Sequence, residues 1–426
     1  MRRNQRNRKR KNFREEKFKK ILEIIIFILI LLVLILIFKN LHKSNNYNEN
    51  KNLNNNSQTN EQEIIENNVE TTENEENTPI NFTLTAIGDT LCHNTQYWDA
   101  YNSATKEYDF SYVYEDIKYY TSSSDITIGS LETTFAGEDK GYSNYPTFNS
   151  PDSLASGLKD IGVDVISLAG NHALDYGYSG LCRTIDVLDK FGISHLGTYK
   201  TAEEQEQLLI KDVKGVKIAF INYTYGTNGI PVPSDKKYCL NLIDKDLISK
   251  QITKVKEQNV DMIVACMHWG TEYKTVANDE QKELADFLFK NGVDVIIGNH
   301  PHVLEPMEKK TITLDDGTSK DVFVVYALGN FTADQRDEIT RDSAILNLDI
   351  TKNVDGKISI NKVDYVPIYM YKNTSAKTHK FKILDIEKSI ANYEAGDNSS
   401  INSTLYNNLK TQLNKIKNIL GDEINW

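Results

Sequence analysis

Five histidines in this chain each follow an apolar run by a few residues: His93, His172, His268, His300 and His302. Carboxylates occupy comparable places. Ala86-Ile-Gly-Asp89 puts an aspartate just past one run, and Ile128-Gly-Ser-Leu-Glu132 puts a glutamate past the next. Leu168-Ala-Gly-Asn171-His172 supplies an amide oxygen and an imidazole. Cys266-Met-His268-Trp-Gly-Thr-Glu272 supplies an imidazole and a carboxylate, with Trp269 between them. Ile297-Gly-Asn-His300-Pro-His302 supplies two imidazoles one residue apart, a spacing that lets both rings turn toward one pocket. Neutral imidazole and carboxylate suit Zn, Mn or Fe. A carboxylate bridging two such cations holds them about 3.5–4 Å apart, the spacing that activates water and clamps an oxyanion. Taken singly, an Asp after a strand is usually a turn or cap residue, and a His is more often packed than ligating. The ordered set, at five successive turns, is what points to a metal site.

Such turns converge only if the elements before them share an edge. From Asn81 the chain reads as short apolar runs ending in Gly, Asn or His: Ile126–Ile128, Val163–Leu168, Val216–Ile221, Met262–Met267, Val293–Ile297 and Val322–Leu328. Helical patterns lie between them at Ser153–Ile161, Tyr178–Phe191, Asp244–Gln258 and Asp279–Asn291, with Asp244 and Asn278 or Asp279 as N-caps. Strands alternating with helices imply an α/β domain whose ligand site lies at the strand ends. The strands Ala344–Ile350 and Lys357–Val366 have no helix between them and imply an antiparallel closing portion. The domain is expected over residues 81–372. A C-terminal helical extension follows over 373–426, with an amphipathic helix at Ile401–Leu420.

The charge is unevenly placed. Residues 1–20 carry eleven Lys/Arg and two Glu, so +9, and the rest of the chain therefore sums to −11 − 9 = −20. A basic head on an acidic body suggests an address or anchor and argues against a nucleic-acid groove. Ile21–Phe38 is almost unbroken apolar sequence, about the minimum for one helix across a bilayer core of roughly 30 Å. The basic block before it predicts a cytoplasmic tail over 1–20, a transmembrane helix over 21–38 and an extracellular remainder. A cleaved signal peptide is the rival, but the run is long and no small-residue cleavage site follows it. Residues 39–80, rich in Asn, Glu, Gln and Thr, read as a disordered linker. The four cysteines lie far apart without CxxC spacing, so they signal neither a zinc knuckle nor a disulfide framework.

The order Gly88-Asp89, Leu131-Glu132, Gly170-Asn171-His172-Ala-Leu-Asp175-Tyr-Gly177, His268-Trp-Gly270, Gly298-Asn-His300-Pro-His302 and Leu328-Gly-Asn330-Phe331 resembles the CapA family. That family is the poly-gamma-glutamate capsule biosynthesis branch of the calcineurin-like metallophosphatases. The resemblance covers roughly Asn81 to Pro367. It implies a four-layer α/β/β/α sandwich and two divalent metal ions, Mn, Fe or Zn. Asp89 and His302 would hold one metal, Glu132 would bridge where ordinary members of the superfamily use Asp, and Asn171, His268 and His300 would hold the second. His172 would protonate a leaving group or hold an oxyanion, oriented by Asp175. Trp269, Glu272 and Asn330 would line the pocket.

Two departures stand out. Asp89-Thr-Leu91 replaces the superfamily's Asp-x-His, so the first site lacks a ligand unless His93 reaches in; a solvent-facing turn histidine is the alternative. Ser130 stands where family members commonly have Asn. The resemblance implies a membrane-anchored extracytoplasmic hydrolase that uses metal-activated water in the biosynthesis of a surface polymer resembling poly-gamma-glutamate. Its expected partners are the membrane, an anionic surface polymer and membrane-bound synthase subunits. The competing expectation is a non-catalytic scaffold or accessory subunit of a polymer synthase or export complex. The −20 balance matters to both, because a polyanion would be repelled by this body unless cations in the site supply local positive potential.

Overall fold

The computed structural model describes residues 78–314 and 317–421. The expected basic tail, the apolar run 21–38 and the linker up to residue 77 lie outside the described residues. Among the described residues, no helix is long and apolar enough to cross a membrane.

The strands in chain order are β1 (Ile80–Thr90), a short hairpin β2 (Tyr101–Asn102) and β3 (Glu107–Tyr108), β4 (Ile126–Leu131), β5 (Val165–Ser167) and β6 (Ser194–Leu196). They continue with β7 (Leu209–Val213), β8 (Val216–Thr224), β9 (Met262–His268), β10 (Val295–Asn299), β11 (Leu304–Thr313) and β12 (Ser319–Leu328). The last are β13 (Asn330–Thr332), β14 (Asp342–Lys352), β15 (Ile358–Lys372) and β16 (Phe381–Asp385). One sheet runs β16-β15-β14-β1-β4-β5-β6, with β13 pairing to β1; the other runs β11-β12-β10-β9-β8-β7. The strands β1, β4, β5 and β6 are mutually parallel, as are β8, β9, β10 and β12. The C-terminal ends of both parallel sets carry the metal-type side chains.

Side-chain alternation explains the layering, because successive residues of a strand face opposite sides. In β9, Met262, Val264 and Cys266 enter the core between the sheets, while Ile263, Ala265 and Met267 face outward. In β12, Phe323 and Val325 point inward, and Val322, Val324 and Tyr326 outward. Both faces are apolar, so both must be covered.

Of the helices in chain order, α1 (Asn94–Ala100) and α2 (Lys118–Ser122) are short. The outer face of the first sheet is covered by α3 (Ser153–Asp160) and α4 (Gly177–Phe191) through Leu154, Leu158, Leu181, Ile185 and Leu188. After the single turn α5 (Ala202–Gln205), α6 (Lys245–Lys256) and α7 (Asp279–Lys290) cover the second sheet through Ile248, Ile252, Leu284 and Leu288. The N-terminal ends of these two helices are set locally. The Asp244 carboxylate accepts from the Asp246 and Leu247 N–H groups, and Asn278 and Gln281 exchange reciprocal cap bonds.

The C-terminal stretch adds β16 to the first sheet, then α8 (Ile386–Glu394) and α9 (Ser403–Leu420). Ile386, Leu405, Leu409, Ile416 and Leu420 all join the core between the sheets, so α9 packs on the domain and closes the open edge beside β11, β14 and β15. Leu409 is fully buried there. Leu409→Ala should destabilise the domain by about 2–5 kcal/mol, the usual range for emptying a leucine site, read as a lower urea midpoint at unchanged slope.

Candidate metal centre

Each candidate ligand lies at or shortly after a strand end, and two of these ends are under tight steric control. β1 passes so close to the segment after β12 that a Cβ on Gly88 would lie 2.0 Å from the Gly329 carbonyl oxygen. Only glycine fits there, and Asp89 comes next. A Cβ on Gly298 would lie 1.9 Å from the Tyr326 carbonyl oxygen, which explains the glycine two residues before His300. His300 and His302 have φ of 105° and 63°. A non-glycine residue in that region costs of order 1–3 kcal/mol, and such strain persists only where surrounding bonds enforce it. Here the His300 N–H donates to Asp89 Oδ2 at 2.9 Å, and the His302 ring bonds the side-chain oxygen of Asn330 at 3.1 Å.

The side chains then meet in two overlapping groups, Glu132 with His268 and His300, and Asp89 with Glu132 and His302. Within each group the ligand atoms lie within 4.8 Å of one another. Glu132 belongs to both. Its Oε1 is 3.8 Å from His268 Nε2, and its Oε2 is 3.6 Å from His302 Nδ1. Asn171 adds its side-chain oxygen, 2.9 Å from His268 Nε2. All six of these side chains are buried.

The polar atoms at the centre are poorly satisfied. Both Glu132 oxygens, His268 Nδ1 and His300 Nδ1 are buried without a hydrogen-bond partner. Unpaired buried polar atoms are costly, and native proteins rarely keep several together. Burial pushes the Asp89 carboxyl up to about 6, against smaller lowering by the His300 N–H, Ser130 and His172. Burial also raises Glu132 well above the usual carboxylate range, helped by the negative charges of Asp89, Glu272 and Asp175. Burial holds His300 down near 3, with help from His302 and His172, and His302 near 4 against the Asn330 bond, while His268 lies well below its usual value. The imidazoles are therefore neutral and present lone pairs, and the carboxylates lack countercharge. Divalent cations would correct both conditions. The donors are oxygen and nitrogen without thiolate, which suits Mn, Fe or Zn.

His172 lies beside this cluster. Its Nε2 is 4.0 Å from Glu132 Oε1, and its Nδ1 is 2.7 Å from Asp175 Oδ2. That oxygen also accepts the Phe148 N–H at 2.6 Å, and the Phe148 ring meets the imidazole edge-on at 4.8 Å. The imidazole is thus held from two sides.

Three candidate positions, His93, Trp269 and Asn330, differ from the sequence-based expectation. His93 is neither a solvent-facing turn residue nor within the ligand groups. Its Nδ1 accepts the Asp334 N–H at 3.1 Å, its ring meets Phe148 edge-on at 5.3 Å, and it forms part of the cleft wall. The place of the Asp-x-His histidine is taken by Leu91, packed with Phe148 and Ala333. Trp269 does not line the cleft: its indole N–H donates to the Tyr326 carbonyl at 2.9 Å and its ring joins the core on the outer face of the second sheet. Strand alternation sends it opposite to His268. Asn330 is buried behind His302, where its amide nitrogen donates to Gln335 and to the Thr340 carbonyl, each at 3.0 Å. Glu272 is exposed and does line the cleft. Ser130 donates its hydroxyl to Asp89 Oδ1 at 2.8 Å and so supports a ligand.

Sequence reasoning also missed Tyr225 and Asn228. The Tyr225 ring lies 4.4 Å from the His300 ring and stacks parallel to His268 at 6.4 Å. Asn228 takes a bond from Asn171 Nδ2 at 3.2 Å and directs its own amide nitrogen to His172 Nε2 at 3.3 Å. Both follow β8, whose parallel placement beside β9 brings its end to the same edge. The polar turn Thr224-Tyr-Gly-Thr-Asn-Gly229 was the available signal. A cleft of about 1350 Å³ opens over the site, lined in part by His172, Asn228, Glu272, Tyr273, His302 and Arg336.

The family described as bacterial capsule synthesis protein PGA_cap matches residues 83–335. The capsule biosynthesis protein CapA of Bacillus anthracis is 27% identical over 294 residues, covering 67% of this chain and 66% of its own length. The PGA biosynthesis protein CapA of Bacillus subtilis (strain 168) is 32% identical over 209 residues, covering 49% and 52%. The matched part thus spans between half and two thirds of these curated relatives. Among solved structures, the calcineurin-like phosphoesterase YfkN of Bacillus subtilis aligns at 17% identity and a TM-score of 0.39, covering 79% of this chain and 98% of that one. The family match takes in more than half of the sequence and runs from β1 through the turn after β13, so this chain belongs to the PGA_cap family of bacterial capsule synthesis proteins.

Proposed function

We propose that this protein is a membrane-anchored, extracytoplasmic hydrolase that acts on a poly-gamma-glutamate-like polymer during capsule biosynthesis. The observation that carries the reading is Glu132: it is shared between two ligand groups, has both oxygens unpartnered, and faces His172 at 4.0 Å. Asp89, Glu132 and His302 would hold one divalent cation, and Glu132, Asn171, His268 and His300 the other. When bound, such a pair activates water and stabilises a developing oxyanion.

The chain's own residues supply the rest. Asp175 accepts from His172 Nδ1, which leaves Nε2 as the imidazole atom that can take up a proton in the cleft and return it to a leaving group. Asn228, directed at that same Nε2, keeps the ring turned toward the cleft. Phe148 and Leu91 form an apolar wall behind it, which limits water and strengthens the electrostatics of the site. The same arrangement serves an amide or a phosphoester; the family's place in capsule synthesis favours the amide-linked polymer. The apolar run Ile21–Phe38 behind a basic block supports the anchor.

Leu91 in place of a ligand favours a second reading, a non-catalytic accessory subunit of a polymer synthase or export complex with an incomplete first site. The experiment is to incubate the purified full chain, with and without Mn, with poly-gamma-glutamate and separately with p-nitrophenyl phosphate. Shortening of the polymer on a sizing column, abolished by chelator, is the expected result. An intact polymer and intact ester, in a protein shown by mass spectrometry to hold metal, would leave the accessory reading in its place.

A further inference from the structure

The loop after β13 is held by an unusually well-connected aspartate. Asp334, whose side chain is 8% exposed, accepts the Thr95 hydroxyl at 2.5 Å and pairs with Lys372 and with Arg341, the latter at 3.7 Å. Its N–H is bound to His93 at 3.1 Å. The next residue, Gln335, accepts from Asn330, the same asparagine that bonds His302. This stretch is therefore tied at several points to the wall of the metal centre. The residue that follows is exposed: Arg336 lines the cleft shared with His172 and His302, and has neither a hydrogen bond nor an ion pair among the described residues.

The charges around it narrow what it can meet. Lys372 and Arg341 also line the cleft, but Asp334 holds both. Glu272 and Asp337, the latter adjoining Arg336 in the chain, line the same cleft and disfavour anions beside their carboxylates. An anion is thus welcome at one free guanidinium and repelled at two carboxylates. The cleft, about 1350 Å³, exceeds the roughly 300–1,000 Å³ of ordinary small-molecule sites and suits a chain segment. A fixed loop lowers the ordering cost of binding, and a guanidinium matches a carboxylate bidentately.

We propose that Arg336 is a specificity-determining residue that binds one carboxylate of an anionic polymer lying in the cleft, with Asp334 as the residue that positions its loop. This deepens the proposed function and rests on it for the polymer. The test is calorimetric titration of the full chain with a γ-linked glutamate decamer, and with the same decamer carrying amidated carboxyls. Arg336→Ala should raise the decamer's Kd about tenfold, as expected for losing one charge-assisted pair. Arg336→Lys should recover part of that loss, because it keeps the charge without the fork. The amidated decamer should bind the wild type no better than the charged one binds Arg336→Ala. Because Arg336 is exposed, its variants keep the fold, which unchanged Tm values would verify. Equal affinity of wild type and Arg336→Ala, with both still shortening the polymer, would overturn the subsite and leave the hydrolase reading standing. A wild type that neither binds nor shortens the decamer would overturn both, and tighter binding of inorganic polyphosphate than of the glutamate decamer would overturn the carboxylate assignment.

Discussion

Glu132→Gln should strip both cations from the protein at once. Mass spectrometry of the metal-loaded full chain should show the wild type's metal content lost in this one variant. His302→Ala, which removes a ligand from only one group, should lose only part of it. The effect on stability should reverse sign with metal. Each cation present at about one hundred times its Kd adds roughly 2.7 kcal/mol to the folded state, so removing both should collapse the difference in Tm between loaded and chelated protein. In the chelated protein the substitution should instead stabilise. Burial holds the Glu132 carboxyl well above its usual range, while the unfolded chain ionises within that range. The unfolded state therefore binds fewer protons through the interval between them, and the stability of the metal-free wild type falls as pH rises across it. Glutamine does not ionise and escapes this loss. A chelated Glu132→Gln protein less stable than chelated wild type at neutral pH would show that the carboxylate is satisfied by something other than metal.

His172→Ala should lower the hydrolytic rate about 10²–10⁴-fold, the usual contribution of a placed general acid or base, with metal content unchanged. The separation is possible because His172 stands outside both ligand groups while its Nε2 still lies 4.0 Å from Glu132. Asp175→Asn should give a smaller loss, since the imidazole remains but its Nδ1 partner no longer carries a charge. If polymer shortening by His172→Ala matched wild type, the proton-transfer role would fail whatever the metal content. If polymer production in cells were also normal, the accessory reading would gain.

The side chains that cluster at the candidate metal centre were largely legible before any coordinates. Asp89, Glu132, Asn171, His268, His300 and His302 each follow an apolar run closed by Gly, Asn or His, and a strand followed by its turn is a local signal. The long helices were legible for the same reason, through 3.6-residue periodicity and caps such as Asp244 and Asn278. β11 and β16 were not, because β11 mixes charged and apolar residues and β16 is five residues long.

What pairs with what across the chain was not local, and only the tertiary structure decided it. His93 is two residues from where a superfamily ligand would stand, yet it is claimed by the Asp334 backbone, 241 residues away. Trp269 adjoins His268, yet the pleat continuing from β9 turns its ring into the opposite core. Asn228 joins His172 and Asn171 only because β8 pairs in parallel beside β9. Arg336 lines the cleft next to Asp334, which gathers partners from three separate segments. By itself the sequence determined the chemistry available, through residue types at strand ends. The tertiary structure decided which of those groups share a cavity, because hydrogen-bond competition and strand register act between residues far apart in the chain.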